Sequence, residues 1–535
     1  MGYAMKHLFS FTQAWQLLLL LSMLLPLLLI KPATHVRAQA TAMQVVDTTE
    51  DPQTLGYPDS RKLVADSQGR LYVAYRKKFR QTQAIRYHIF VARSTDSGTT
   101  WTVLNQGRPV ESVGDYTQRV PALAIDANDV LHLVWYGEDV GSAASDARQI
   151  KYVRSTDGGA TWSLWQNIAP VSGYTNQTLW QEHPIIYAAG NGTLTIAWQG
   201  RDATYLADSQ VKLIQSTDGG LTWSAWRNIN PATGRYFSRP SLVAAANGSV
   251  LYLAAYSGTV STFAQLVWST STDGGATWSP WAMVSPSDQD QRHLSLAIDG
   301  DGRVHAAWRQ RPNGADATQP TQIHAAVWAN NRWSTPLVVS ASPTSYQFFP
   351  SLTIGRDGRR WLAWLETTTA AQFPADDPQS GTIYYATQPA TETVWSNRTQ
   401  LRPATTDLYP TFGWYAKPAQ AQQTCDRATG VELLWSETVA ADQHKLLYTC
   451  LTMPPPTPTP TATATATNTP TPTATPTPLP TATPTNTPLP TATNTPPAAA
   501  LNKILLSSQV DGKVGSVSYS DEDMLAYDPT TKAWA

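Results

Sequence analysis

Cysteine is almost missing from this chain: Cys425 and Cys450 are the only two among 535 residues. A thiolate metal site has no ligand set, and the pair reads as one bridge formed in an oxidising compartment. Neither His183 nor His293 belongs to a helical HxxxH or a Cys/His cluster. Both read as packed or solvated loop residues, and no metal or cofactor is expected. An excess of one charge is lacking too, because a net charge of −1 leaves no basic footprint for nucleic acid. Phenylalanine is scarce, 10 residues against 21 Trp and 22 Tyr. Rings with a polar edge suit sheet rims and sugar-contacting surfaces, although repeat motifs account for many of the Trp. The apolar run from Leu17 to Ile30 is short for a membrane span and is broken by Pro26. With Lys6 and His7 before it and Ala38, Gln39, Ala40 after it, it reads as a secretory signal over residues 1–40, with no membrane span after cleavage.

What the chain has in quantity is repetition. STDGGATW at Ser155 to Trp162 returns as STDSGTTW at Ser94 to Trp101, as STDGGLTW at Ser216 to Trp223, and unchanged at Ser271 to Trp278. The central acids are Asp96, Asp157, Asp218 and Asp273, with intervals of 61, 61 and 55 residues, the period of a modular repeat. Ser and Asp bond backbone groups that a tight turn leaves unpaired, Gly supplies positive φ, and Trp opens the next strand with a large apolar face.

Between these turns a second pattern recurs: a short strand, a turn with Asp, Asn or Gly, then a strand ending in an aromatic. Clear copies run from Pro121 to Tyr136, Pro184 to Trp198 and Pro240 to Tyr256; fainter ones begin at Lys62, Leu294, Pro350 and Pro410, making seven. A third strand leads into the turn and a fourth leaves from its Trp. Four strands per repeat predict an all-β propeller, seven-bladed with six as the alternative. The seventh repeat lacks an outer strand, so Val45 and Val46 near the mature N-terminus are expected to supply it and close the ring over residues 41–452. Cys425 and Cys450 would brace that last sheet. Residues 453–497 are nearly all Pro, Thr and Ala and form an extended linker. Residues 498–535 read as a short, incomplete C-terminal segment.

The motif SxDxGxTW resembles the Asp-box, or BNR repeat, of sialidases and related β-propellers. In that family the boxes lie on the outer rim, so they bear on fold and not on chemistry. The resemblance implies an extracellular glycan or glycoprotein as partner. It also implies a set of side chains at the channel mouth, where the innermost strands begin. An acidic sugar calls for three guanidiniums that hold its carboxylate. A Tyr nucleophile assisted by a Glu, with an Asp as general acid, completes the set.

Carried through the seven repeats, the position two before Pro121 is Asp59, Arg119, Glu182, Ser238, Arg292, Phe348 and Leu408; the next register adds His183, Arg239, His293 and Tyr409. Arg119-Val120-Pro121 resembles the family's YRIP opener, with Gln118 where the family has an aromatic. By that resemblance Arg119, Arg239 and Arg292 bind substrate, Tyr409 is the nucleophile, and Glu182 its partner. Asp139 or Asp146, in the loop from Gly137 to Arg148, is then the general acid, and Arg61 competes for a clamp position. The plainer alternative makes these arginines rim salt bridges beside Asp59 and Glu182.

Function is expected to be that of a secreted or cell-surface, monomeric, sialidase-like protein acting on or binding glycans, and a glycoside hydrolase of sialidase type if it is an enzyme. The alternative is a non-catalytic recognition propeller using the channel mouth and loop aromatics such as Trp180. A two-carboxylate hydrolase of neutral polysaccharide is a third reading.

Overall fold

A computed structural model describes residues 38–453 apart from 140–147, 171–178, 246, 260–262, 288, 313–318, 343, 369–379, 414–424 and 426–429, together with short strands between 504 and 534. Residues 1–37 of the signal, most of the Pro/Thr-rich linker and Asp146 lie outside the described residues. Among those described, no helix is long and apolar enough to cross a membrane.

Among the described residues seven antiparallel sheets make up the propeller, the first six with their strands in chain order. Blade 1 is built from Leu63–Ala65, Leu71–Arg80, Ile85–Ser94 and Thr102–Val103. Blade 2 follows with Gln118–Ile125, Leu131–Gly137, Gln149–Ser155 and Gln166–Asn167. The inner strands of blades 3 to 6 are Gln181–Ala188, Tyr236–Ala244, Asp290–Ile298 and Tyr346–Ile354. Blade 7 has Asp407–Phe412, Val431–Ala440 and Gln443–Thr452. Its outer strand is Gln44–Thr49 from the start of the chain, paired Gln44 to Tyr448 and Val45 to Leu447. Joining the first and last segments in one sheet removes two open edges. A disulfide joins Cys425 to Cys450 in the same blade.

Each Asp-box is a closed hydrogen-bond circuit. In the box of blade 2 the Ser155 hydroxyl donates to Asp157 at 2.7 Å and accepts the Gly159 amide at 2.8 Å, while the Thr161 hydroxyl donates to Asp157 at 2.6 Å. The same Ser-to-Asp bond, also 2.7 Å, recurs at Asp96, Asp218 and Asp273. Partial burial opposes ionisation of Asp157, yet the donors of Thr161 and Ser155 outweigh it and hold the carboxyl at about 2.

Inside the blades a second device repeats. Gln118 accepts the indole N–H of Trp135 at 2.8 Å and Gln181 that of Trp198 at 2.7 Å, each pinning the inner strand to its neighbour in the core. This is why Gln118 stands where the resembled opener has an aromatic. Gly137 and Gly200 make room, since a Cβ at either would meet the glutamine oxygen at 2.1 or 2.0 Å. Trp135, Trp198, Trp308, Trp361, Trp364 and Trp435 are all fully buried.

Residues 458–535 form a separate unit. It has a three-stranded sheet of Ile504–Ser507, Met524–Asp528 and Ala533–Trp534, and a hairpin of Gly512–Val514 with Val517–Tyr519.

Candidate functional site at the axial mouth

Six of the seven inner strands break register at their start, between Arg119 and Ala122, Glu182 and Ile185, Ser238 and Ser241, Arg292 and Ser295, Phe348 and Ser351, and Leu408 and Thr411. At each bulge one residue has left-handed backbone: Val120, His183, Arg239, His293, Phe349 and Tyr409, with φ between 44° and 55°. Non-glycine residues adopt this conformation at a cost of roughly 1–3 kcal/mol each and keep it only where surrounding structure enforces it. Bulges re-aim side chains, and here they gather side chains from different blades. The rings of His293 and Phe349 stack at 4.7 Å, and those of Phe349 and Tyr409 lie 4.9 Å apart.

Blade 1 contributes differently. Its entering chain runs over the mouth, and Tyr57 reaches four other blades. Its ring is 5.5 Å from His183, 5.7 Å from Phe349 and 5.7 Å from Tyr409, and the Arg239 guanidinium sits 3.5 Å from its centre. Gly56, with φ of 68°, lies so close to Val120 of blade 2 that a Cβ would be 3.2 Å from its Cγ2. Arg61 extends to blade 5 and donates to the Leu296 carbonyl. It is a buried brace and not a clamp arginine. Residues 55–62 thus form a plug, and no motif in the sequence announces it.

Charge under the plug is shaped by burial. Asp59 is buried and its carboxyl is raised by desolvation, against the opposing fields of Arg239 and Lys62. Desolvation lowers Lys62 to about 7, and its Nζ donates to the carbonyls of Tyr57 at 3.3 Å and Ser60 at 3.2 Å. Burial, reinforced by Arg239, holds His183 well below its ordinary range; burial and Arg309 do the same for His293. Both imidazoles are therefore neutral at pH 7. Burial works against Arg239 too, but Tyr256, Tyr57 and Asp59 raise it, so it remains a cation.

The expected site residues fall into three groups. Arg119, Arg239 and Arg292 are half-buried around the mouth. Arg292 is tied to Asp290 at 3.0 Å, which also takes Arg309 at 3.2 Å. Glu182 is ion-paired with Arg148 and lies 4.0 Å from His183. Tyr409 is only 1% exposed, against Tyr57 and Phe349. Tyr57, whose ring touches both His183 and Tyr409, lies between the Glu182 and Tyr409 strands.

Asp139 points away from this ring. It bonds Lys151 at 2.6 Å and Asn167 at 2.6 Å, on the third and outer strands of its own blade. Asp202 repeats the arrangement in blade 3 with Lys212 and with Asn228 at 2.9 Å. The interval of 16 residues from Lys151 to Asn167 and from Lys212 to Asn228 is the sequence signal that could have marked Asp139 as structural. Among the described residues no group of three or more His, Cys, Asp or Glu could hold a metal ion.

Comparison with known proteins places residues 103–362 in a match to the BNR repeat-like domain family. A sialidase from Micromonospora viridifaciens is 29% identical over 228 residues, 35% of this chain and 32% of that protein. The match thus spans about a third of that relative's length. Among solved structures, an ulvan lyase from a polysaccharide lyase family aligns with a TM-score of 0.51 at 12% identity, covering 76% of this chain and 95% of that one.

Proposed function

We propose that this BNR-repeat, sialidase-like β-propeller is an exported recognition module that binds an anionic glycan at its axial mouth. The observation that carries the reading is the Arg239 guanidinium, half-buried and 3.5 Å from the Tyr57 ring, between Arg119 and Arg292 in the neighbouring register. A desolvated guanidinium on a rigid aromatic face suits a carboxylate or sulfate on a sugar. Of the groups that hydrolysis would need, Tyr409, Glu182 and Asp139 are engaged elsewhere. Tyr409 is packed beneath the plug, Glu182 is paired with Arg148, and Asp139 is bound to Lys151. The sialidase relative and the fold shared with a polysaccharide lyase support glycan as the ligand class. The Pro/Thr-rich stretch would tether the module outside the cell.

Exo-sialidase activity is the second reading, favoured by Arg119 in the opener and by Tyr409 in the ring of bulges. The full chain, titrated calorimetrically with sialyllactose and with a hexamer of galacturonate, should bind at least one of them. Arg239→Gln should weaken that binding at least tenfold, and a fluorogenic sialoside should not turn over. Turnover abolished by Arg119→Ala would replace recognition with hydrolysis; failure to bind either acid would refute the anionic-glycan reading.

A further inference from the structure

A cavity lies between blades 1 and 2, lined by the chain that links them and by the box of blade 2. It encloses about 410 Å³ and is walled by Phe79, Asn105, Arg108, Ser112, Trp162 and Trp165, among others. That volume is in the range of small-ligand sites, roughly 300–1,000 Å³.

The next two junctions, between blades 2 and 3 and between blades 3 and 4, are bridged by the second Trp of the repeat. Trp226 donates its indole N–H to the Pro170 carbonyl at 3.3 Å, and Trp281 donates to those of Ile229 and Asn230 at 3.2 and 3.1 Å. Each ring is thereby fastened over the preceding blade. Trp165 has no such bond among the described residues. Its ring rests on the Lys151 ammonium at 4.7 Å and lines the opening.

One further observation sets this junction apart. The chain leaving blade 1 turns through Asn105 and Gln106, consecutive non-glycine residues with φ of 50° and 58°. L-residues visit that region singly and at a cost, and such strain gathers at ligand sites.

The wall is held in shape. Glu111 accepts the amides of Ile89 at 3.2 Å and Val113 at 3.0 Å, takes Gln81 Nε2 at 3.0 Å, and pairs with His88 at 2.9 Å. With that carboxylate saturated from within, the exposed polar groups left for a ligand include Arg108 and the Ser112 hydroxyl. This combination, flat indoles beside a few fixed hydroxyls and donors, matches a pyranose ring with its CH face and equatorial hydroxyls.

We propose that the cavity between blades 1 and 2 is a binding site for a neutral pyranose segment of a polysaccharide, stacked on Trp165 and hydrogen-bonded by Arg108 and the Ser112 hydroxyl. It is independent of the axial site, and the two would give the chain a second grip on one polymer. The full chain is titrated with cellohexaose, xylohexaose, mannohexaose and maltohexaose, read by tryptophan fluorescence and calorimetry. Saturable binding of at least one is expected. Trp165→Ala and Ser112→Trp, the latter filling the cavity from an exposed lining position, should each weaken it at least tenfold with unchanged circular dichroism. Arg239→Gln, in the axial mouth, should leave it unchanged. Absence of saturable binding to all four sugars, or undiminished affinity in either rim variant, overturns the proposal whatever the acidic sugars do.

Discussion

Arg239 and Tyr57, 182 residues apart in the chain, face each other across the axial mouth with the guanidinium 3.5 Å from the ring centre. The contact couples a left-handed residue on the inner strand of blade 4 to the segment that enters blade 1. It makes the plug part of the recognition surface and not merely a cover over it.

Tyr57 should accordingly be a keystone for stability. Tyr57→Ala removes ring contacts to His183, Phe349 and Tyr409. The expected cost is about 2–4 kcal/mol, below a full core truncation because the ring is half-exposed. Tyr57→Phe should cost under about 1 kcal/mol. Urea midpoints of the two variants check the difference, and equal midpoints would show that the plug does not brace the ring.

The Asp-boxes should matter through their serine as much as their aspartate. Ser155 is buried, donates to Asp157 and accepts the Gly159 amide at 2.8 Å. Ser155→Ala leaves that amide unsatisfied and should cost about 1–3 kcal/mol, read as a lowered melting temperature. Asp157 titrates at about 2 in the fold against 3.8 for the free group. Its folded value is depressed, so its contribution is present above about pH 4 and lost as pH falls through 2. A Ser155→Ala protein should show a shallower acid limb.

Glu432 should act in the opposite direction. Burial raises its carboxyl to about 8, and the Cys425 amide donates to it at 3.2 Å. The folded value lies above the ordinary 4.5. The stability linked to the neutral form is therefore complete below about pH 4.5 and declines as pH rises towards 8. Glu432→Gln should flatten the dependence of the urea midpoint on pH across this window. An unchanged slope would mean that the buried carboxyl does not titrate there.

Removal of the bridge should loosen blade 7 selectively. Cys425 and Cys450 close a loop of 25 residues, for which chain-entropy arguments give about 3 kcal/mol. The double Cys→Ser variant should lose about that much. Hydrogen exchange should quicken first in Val431–Ala440 and Gln443–Thr452, the strands that carry the closure.

Much of this was legible because it is local or periodic. The Asp-box is specified within eight consecutive residues, its donors and acceptors all lying inside Ser155 to Trp162. Counting strand patterns led to seven blades, and the strand missing from the last repeat led to the one spare at the N-terminus. The register that set His183, Arg239, His293 and Tyr409 at equivalent positions also coincides with the left-handed residues of the bulges.

Repetition could not say which side chains at the mouth remain available. Asp139 lay in a loop where an acid was expected, but a lysine 12 residues on and an asparagine 28 residues on claim it. Tyr409 occupied the right register, yet Tyr57 and Phe349 cover it.

The amino-acid sequence by itself therefore determined the turn chemistry, the strand period, the number of blades and their closure, since each depends on neighbours in the chain or on recurrence along it. Only the tertiary structure decided that residues 55–62 plug the axis, and that the junction of blades 1 and 2 stays open where the next two are shut. Both depend on contacts between blades, whose partners lie tens to hundreds of residues apart and follow no repeating interval. They come into being only when the ring has closed.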